Sequence, residues 1–303
     1  MTLEVKADEG YLLSADSLGD PDGLPVFLLH GTPGTRNGPR PRGIVLHRLG
    51  IRLITYDRPG YPGSDRRIGR RVVDAAADVA AIADAFRLKQ FSVVGRSGGA
   101  PHALACAAAL GDRVLSAAAL GSLAPYDAQG LDWPLGMTES NARAYHNAEN
   151  DLAALVKMLN EQAMLARGNS EGLLPVLWPD LVGHDKEIFG DIALRRIITK
   201  VHADALSKNI DGWVDDVVAL SSKWGFDPSE ITVPVKLWAG RDDVFSPVSH
   251  TYWLGKRIPG ADVEIADDTA HFGTVSSLVR ILNWVAAKAN TQETVRERAD
   301  ALS

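Results

Sequence analysis

Four continuous apolar runs constrain this chain more than any other feature. They are Pro25–His30 (PVFLLH), Ile51–Thr55 (IRLIT), Phe91–Gly95 (FSVVG) and Val114–Leu120. A strand that is apolar on both faces must be covered on both, as in a parallel sheet clad with helices. Helical patterns lie between the runs. Arg71–Phe86 places Val72, Ala76, Val79, Ile82, Ala83 and Phe86 on one face, and Gly98–Leu110 is rich in alanine. This alternation predicts an α/β fold: a mostly parallel central sheet, helices on both faces and right-handed crossovers. Ahead of it, Leu3–Ala7 and Tyr11–Ala15 flank Asp8-Glu9-Gly10, a hairpin signal.

The alternation stops near Ala124 and resumes after Asp227. Between them only helical periodicity and loops are visible. Asp151–Arg167 is the clearest helix, and His202–Ser221 is another, with a stripe at Leu206, Ile210, Trp213, Val217 and Leu220. Val233–Ala239 and Asp262–Ala266 then read as strands. Thr274–Lys288 reads as an amphipathic helix with Val275, Leu278, Leu282 and Val285 aligned, and Asn290–Ser303 as a polar tail. The expected organisation is a core formed by 1–123 and 228–303, interrupted by a helical cap at 124–227.

A chain of 303 residues with 46% apolar and 23% charged residues can bury a full core without staples. Its 38 acidic and 32 basic residues leave a net charge of −6, without the basic excess of a nucleic-acid binder. Cys106 is the single cysteine, which excludes an intrachain disulfide and a cysteine-based zinc site. No apolar run approaches the ~20 residues of a membrane span. The opening MTLEVKADEG lacks a basic segment followed by an apolar one. The expectation is a soluble, cytoplasmic protein.

The chemistry concentrates at Gly95-Arg96-Ser97-Gly98-Gly99, which follows an apolar strand and precedes a helix. That is the context of a G-x-S-x-G nucleophile elbow. The chain must reverse sharply there, and side chains at Gly95 or Gly99 would collide with the turn. Ser97 would stand at a helix N-terminus, where amides can stabilise an oxyanion. His30-Gly31-Thr32-Pro33-Gly34 follows the strand Pro25–Leu29, and the N–H groups of Thr32 and Gly98 are the two candidate oxyanion donors. Asp57–Ser64 (DRPGYPGS) reads as a structural turn. An acid and a base are expected later in the chain. Asp242 and Asp243 both follow a strand and can serve as the acid. His271, between a strand and the last helix, is the candidate base. Seven other histidines have structural readings; His102 packs in the helix after the elbow. His146, His184 and His202 show no metal-ligand spacing.

With these motifs in hand, the chain resembles the α/β-hydrolase fold superfamily over nearly its whole length, with an inserted helical cap. The resemblance implies a catalytic triad of Ser97, Asp243 and His271. It favours Asp243 over Asp242 because the family's acid commonly lies four residues before a proline, here Pro247. A serine nucleophile points to esterases, carbon–carbon hydrolases, amidases and cofactor-free perhydrolases. Relatives with an aspartate at the elbow are set aside by Ser97. Arg96 before the serine and Pro62 in the turn depart from common forms.

The resulting expectation is a serine hydrolase acting on a small-molecule ester or related acyl compound, with no metal or organic cofactor. Rival readings are carbon–carbon hydrolysis, a natural-product tailoring step, or a small-molecule receptor with incidental turnover. Trp133, Trp178 and Trp213 of the insertion and Phe245 are candidate pocket linings. Arg36, Arg40 and Arg42 belong to a solvated loop or, with Arg96, to a rim that attracts a substrate carboxylate. Cys106 reads as a small buried hydrophobe.

Overall fold

The structure, a computed structural model, describes the backbone of residues 2–300 apart from 168 and 170, and side chains as far as 291. Its strands are β1 (Thr2–Lys6), β2 (Leu12–Gly19), β3 (Leu24–Leu29), β4 (Ile51–Tyr56), β5 (Phe91–Arg96), β6 (Val114–Leu120), β7 (Val235–Gly240) and β8 (Asp262–Ala266). Around them lie α1 (Gly43–Arg48), α2 (Ala75–Ala85) and α3 (Gly99–Ala109). The segment between β6 and β7 carries α4 (Glu139–Asn150), α5 (Leu152–Ala166), α6 (Leu174–Leu177), α7 (Gly183–Gly190), α8 (Ile192–Ala205) and α9 (Asp211–Leu220). The chain then adds α10 (Val248–Arg257), α11 (Gly273–Ser276) and α12 (Leu278–Asp300).

The strands form one eight-stranded sheet in the order β1-β2-β4-β3-β5-β6-β7-β8. β1 and β2 join antiparallel, and β3 to β8 are parallel to β4 and to one another. The continuous apolar runs are explained by two cores. Phe27, Leu29, Ile54 and Val93 face one side, against Val79, Ile82, Ala103 and Leu104 of α2 and α3. Val26, Leu28, Leu53 and Val94 face the other, against Leu278, Ile281, Leu282 and Val285 of α12. Cys106 is buried in the first core. That core is continuous with Leu155, Leu159, Val214 and Val217 of the segment between β6 and β7.

Three expected elements differ in detail. The helix foreseen over His202–Ser221 is two helices, broken at Leu206–Ile210. Polar side chains take over the backbone there: Ser207 Oγ donates to Asp204 O (2.7 Å), and Asn209 Oδ1 accepts from Asp211 N (3.0 Å). The helix foreseen over Thr274–Lys288 is likewise split at Ser277. The polar tail foreseen from Asn290 instead continues α12 to Asp300, while 301–303 lie outside the described residues.

Candidate active site

The sheet ends where three of the sequence-derived candidates begin. β5 delivers Ser97, β7 the loop of Asp243, and β8 the loop of His271, all at carboxyl ends of parallel strands, where open α/β sheets place their sites. Ser97 has φ +52°, a conformation that side chains other than glycine's rarely adopt. The flanking glycines are required by contact. A Cβ on Gly95 would stand 2.2 Å from Gly99 O, and one on Gly99 would stand 2.4 Å from both Leu29 O and His30 O.

Ser97 Oγ lies 3.0 Å from His271 Nε2, and His271 Nδ1 lies 2.8 Å from Asp243 Oδ2. With Nδ1–H donating to the carboxylate, Nε2 is free to accept from the serine hydroxyl. Asp243 Oδ1 also accepts from the amides of Phe245 (2.9 Å) and Ser246 (2.8 Å), so the loop fixes the carboxylate. Burial works to lower the His271 pKa. The Asp243 charge and hydrogen bond, together with the Asp185 charge, more than offset it and leave the imidazole above its ordinary value. Asp242 is half exposed and faces His184 Nδ1 at 3.1 Å.

Thr32 and Gly98 are brought together beside the serine. A Cβ on Gly98 would stand 3.3 Å from Thr32 N, and one on Gly31 would stand 3.4 Å from Ser97 Cβ. Among the described residues no carbonyl engages either amide. The loop is held from below by a buried network absent from the sequence-based reading. Asp216 of α9, wholly buried, accepts from Thr32 Oγ1 (2.6 Å) and Tyr61 OH (2.7 Å) and pairs with Arg58 and Arg70. Arg58 in turn donates to His30 O, Gly31 O (3.0 Å) and Thr32 Oγ1 (3.1 Å). Burial alone would raise the Asp216 pKa; the charges of Arg58 and Arg70 reverse this and hold the carboxyl well below its usual range. The signal was in the sequence: Asp216 falls in phase with Trp213, Val217 and Leu220, a carboxylate on an apolar face.

A second carboxylate from the same segment, Asp185 of α7, is also fully buried. Its Oδ1 accepts from Phe272 N at 2.9 Å, one residue from His271.

Above Ser97 opens a cavity of about 170 Å³. His271, Phe245, Arg96 and Trp213 line it, together with Tyr145, Met158 and Leu159 of the segment between β6 and β7. Trp133 and Trp178 do not. Trp133 turns into the core, packs edge-on against Tyr126, Tyr145 and His250, and donates from Nε1 to Ala124 O (2.9 Å). Trp178 is 43% exposed and lies under Lys186 Nζ. Of the expected arginine rim, Arg96 alone lines this cavity. Arg36 pairs with Asp57 and with Asp16 (3.3 Å), and Arg40 donates to Arg36 O (2.7 Å) and Thr55 Oγ1 (3.3 Å). Arg42 is exposed at the start of α1. Asp57 accepts from the amides of Arg36 (2.6 Å) and Gly63 (3.1 Å), as a structural turn requires. His102 Nδ1 bonds Gly98 O at 2.7 Å within its helix.

Among the described residues no three His, Cys, Asp or Glu side chains are grouped to hold a metal ion, and no helix is long and apolar enough to cross a membrane.

Comparison with known proteins bears on the fold. The family model for the alpha/beta hydrolase fold matches residues 25–172. A proline iminopeptidase of Neisseria gonorrhoeae is 22% identical over 291 residues, covering 86% of this chain and 87% of that protein. Among solved structures, a thermophilic esterase from Thermogutta terrifontis superposes with a TM-score of 0.66 at 19% identity, over 96% of this chain and 99% of that one. The enol-lactonase from Burkholderia xenovorans gives 0.69 at 17% identity, over 95% and 100%. The sheet order, the strand–turn–helix around Ser97 and these matches together show that the chain has the α/β-hydrolase fold.

Proposed function

We propose that this protein is a serine hydrolase of small carboxylic esters or related acyl compounds. The observation that carries the reading is the line Ser97 Oγ, His271, Asp243, with separations of 3.0 and 2.8 Å. Ser97 Oγ attacks the substrate carbonyl as His271 Nε2 takes its proton. The oxyanion of the tetrahedral intermediate is held by the amides of Thr32 and Gly98. The intermediate expels the alkoxide, which leaves as the alcohol with the proton from His271. Water, deprotonated by the same nitrogen, attacks the acyl-serine, and the acid departs as Ser97 recovers its proton. Asp243 holds the imidazole in the tautomer these steps need and stabilises the imidazolium. The segment 124–227 acts as a cap, its side chains closing the cavity over Ser97 and limiting the size of the acyl group.

The test is turnover of short-chain p-nitrophenyl esters together with labelling by a fluorophosphonate. The reading expects both, and expects Ser97→Ala to lose both while keeping the wild-type circular dichroism spectrum. A folded wild-type chain that neither turns over esters nor takes the label would overturn it.

A further inference from the structure

Arg96 ends β5 one residue before Ser97 and is 7% exposed. It lines the cavity over the serine, as do Leu123, Tyr145, Met158 and Val217. Its Nη2 lies beside Gly38, where a Cβ would be 3.4 Å away. Arg96 Nε has no hydrogen-bond partner. Among the described residues no carboxylate comes within 4 Å of its guanidinium. The other charged group of the wall, Asp180, takes the hydroxyl of Ser140. His202, also on the wall, is turned away through Nδ1, which bonds Ile198 O at 2.8 Å.

A guanidinium removed from water without a counter-charge is costly, and here it holds no loop or strand in place. Burial pushes its pKa down to about 10, so the group stays cationic at neutral pH. It sits in a cavity whose wall is largely apolar apart from a few polar side chains such as Asp180, one residue from the reacting serine. A planar fork of donors in such a place fits a planar, singly charged acceptor. A phosphate dianion would need more positive charge than one arginine supplies.

We propose that Arg96 binds a carboxylate carried by the substrate, so that the preferred substrates are esters bearing a free carboxylate. The carboxylate lies on Arg96 while the ester carbonyl lies at Ser97; this substrate class rests on the hydrolase reading above, whereas the anion site itself does not.

Monomethyl glutarate and dimethyl glutarate differ by one methyl group and one charge, and they separate the two claims. Their binding is measured on the Ser97→Ala chain, which removes the proposed nucleophile. The monoester is expected to bind at least about tenfold tighter, the scale of a charge-assisted pair. Arg96→Gln in the same background should bring the two affinities together, and Arg96→Lys should keep part of the difference. Equal affinities on the Ser97→Ala chain, binding of neither ester, or an undiminished preference in folded Arg96→Gln would each overturn the proposal. If Arg96→Gln does not fold, the Ser97→Ala comparison and Arg96→Lys decide. Turnover by the wild-type chain is scored separately. A binding preference with neither ester hydrolysed leaves the anion site standing and removes the hydrolase reading.

Discussion

Arg58 and Arg96 are both buried near Ser97, and their surroundings are opposite. Around Thr32, Arg58 meets Asp216, Tyr61 lies beside the same carboxylate, and Arg70 pairs with its other oxygen. Around Gly38, Arg96 Nε meets nothing, and the surrounding wall is largely apolar. The first arrangement is architecture: both guanidinium groups pair with one carboxylate inside the chain, and the product is a fixed loop carrying Thr32. The second is a charge whose partner lies outside the chain. A buried arginine is therefore informative only together with its partners, since burial alone reads the same in both places.

The comparison presupposes that both regions converge on a reacting serine. Ser97→Ala should lower kcat on any ester substrate by about 10⁶, as loss of a triad nucleophile does elsewhere. Wild-type turnover by that variant would leave the two arginines without a common centre. Asp243→Asn should lower kcat by about 10⁴, while Asp242→Asn, half exposed and facing His184, should cost less than tenfold. A reversed order would move the acid to Asp242.

The sharpest contrast is one of stability. Asp216→Ala strands Arg58 and Arg70, and should cost about 3–5 kcal/mol in denaturant unfolding. Arg96→Met removes an unmatched charge, and should leave the unfolding midpoint unchanged or raise it. Equal losses in the two variants would break the distinction between matched and unmatched charge.

The smallest expected effect concerns pH. His271 must be neutral to take the serine proton, and its pKa lies above its ordinary value because Asp243 and Asp185 outweigh burial. The rate kcat/KM should therefore fall as pH drops through that raised pKa. Asp185→Asn keeps an oxygen for Phe272 N but removes a negative charge, so the acid limb should move to lower pH. A limb that stays in place or moves upward would show that Asp185 does not act on His271.

The core was largely legible in the sequence because its signals are local. A strand apolar on both faces, a glycine that cannot bear a side chain and a serine between them specify the turn at Gly95–Gly99 from neighbouring residues. The segment 124–227 was legible only as helical. Which way an aromatic side chain turns depends on what its helix packs against. Thus Trp213 reaches the cavity, Trp133 enters the core and Trp178 meets solvent. The arginine loop misled in the same way. Its acidic partners, Asp16 and Asp57, lie in other elements, and spacing along the chain does not reveal them. Asp216 was accessible in principle, as a charge in phase with an apolar stripe, but its partners Arg58 and Arg70 stand about 150 residues earlier.

The anchoring of α9 through Asp216 bears on how molecules enter and leave. Swinging the whole insertion away would strip Asp216 from Arg58, Arg70, Tyr61 and Thr32 at once. Traffic that leaves α9 seated has a shorter route. Gly38, Pro39, Ile198 and Val275 border both the cavity and a second pocket edged by Arg40, Leu194 and Ile197. A substrate entering across that shared border would pass Arg40 before Arg96 and leave the salt bridges of Asp216 intact.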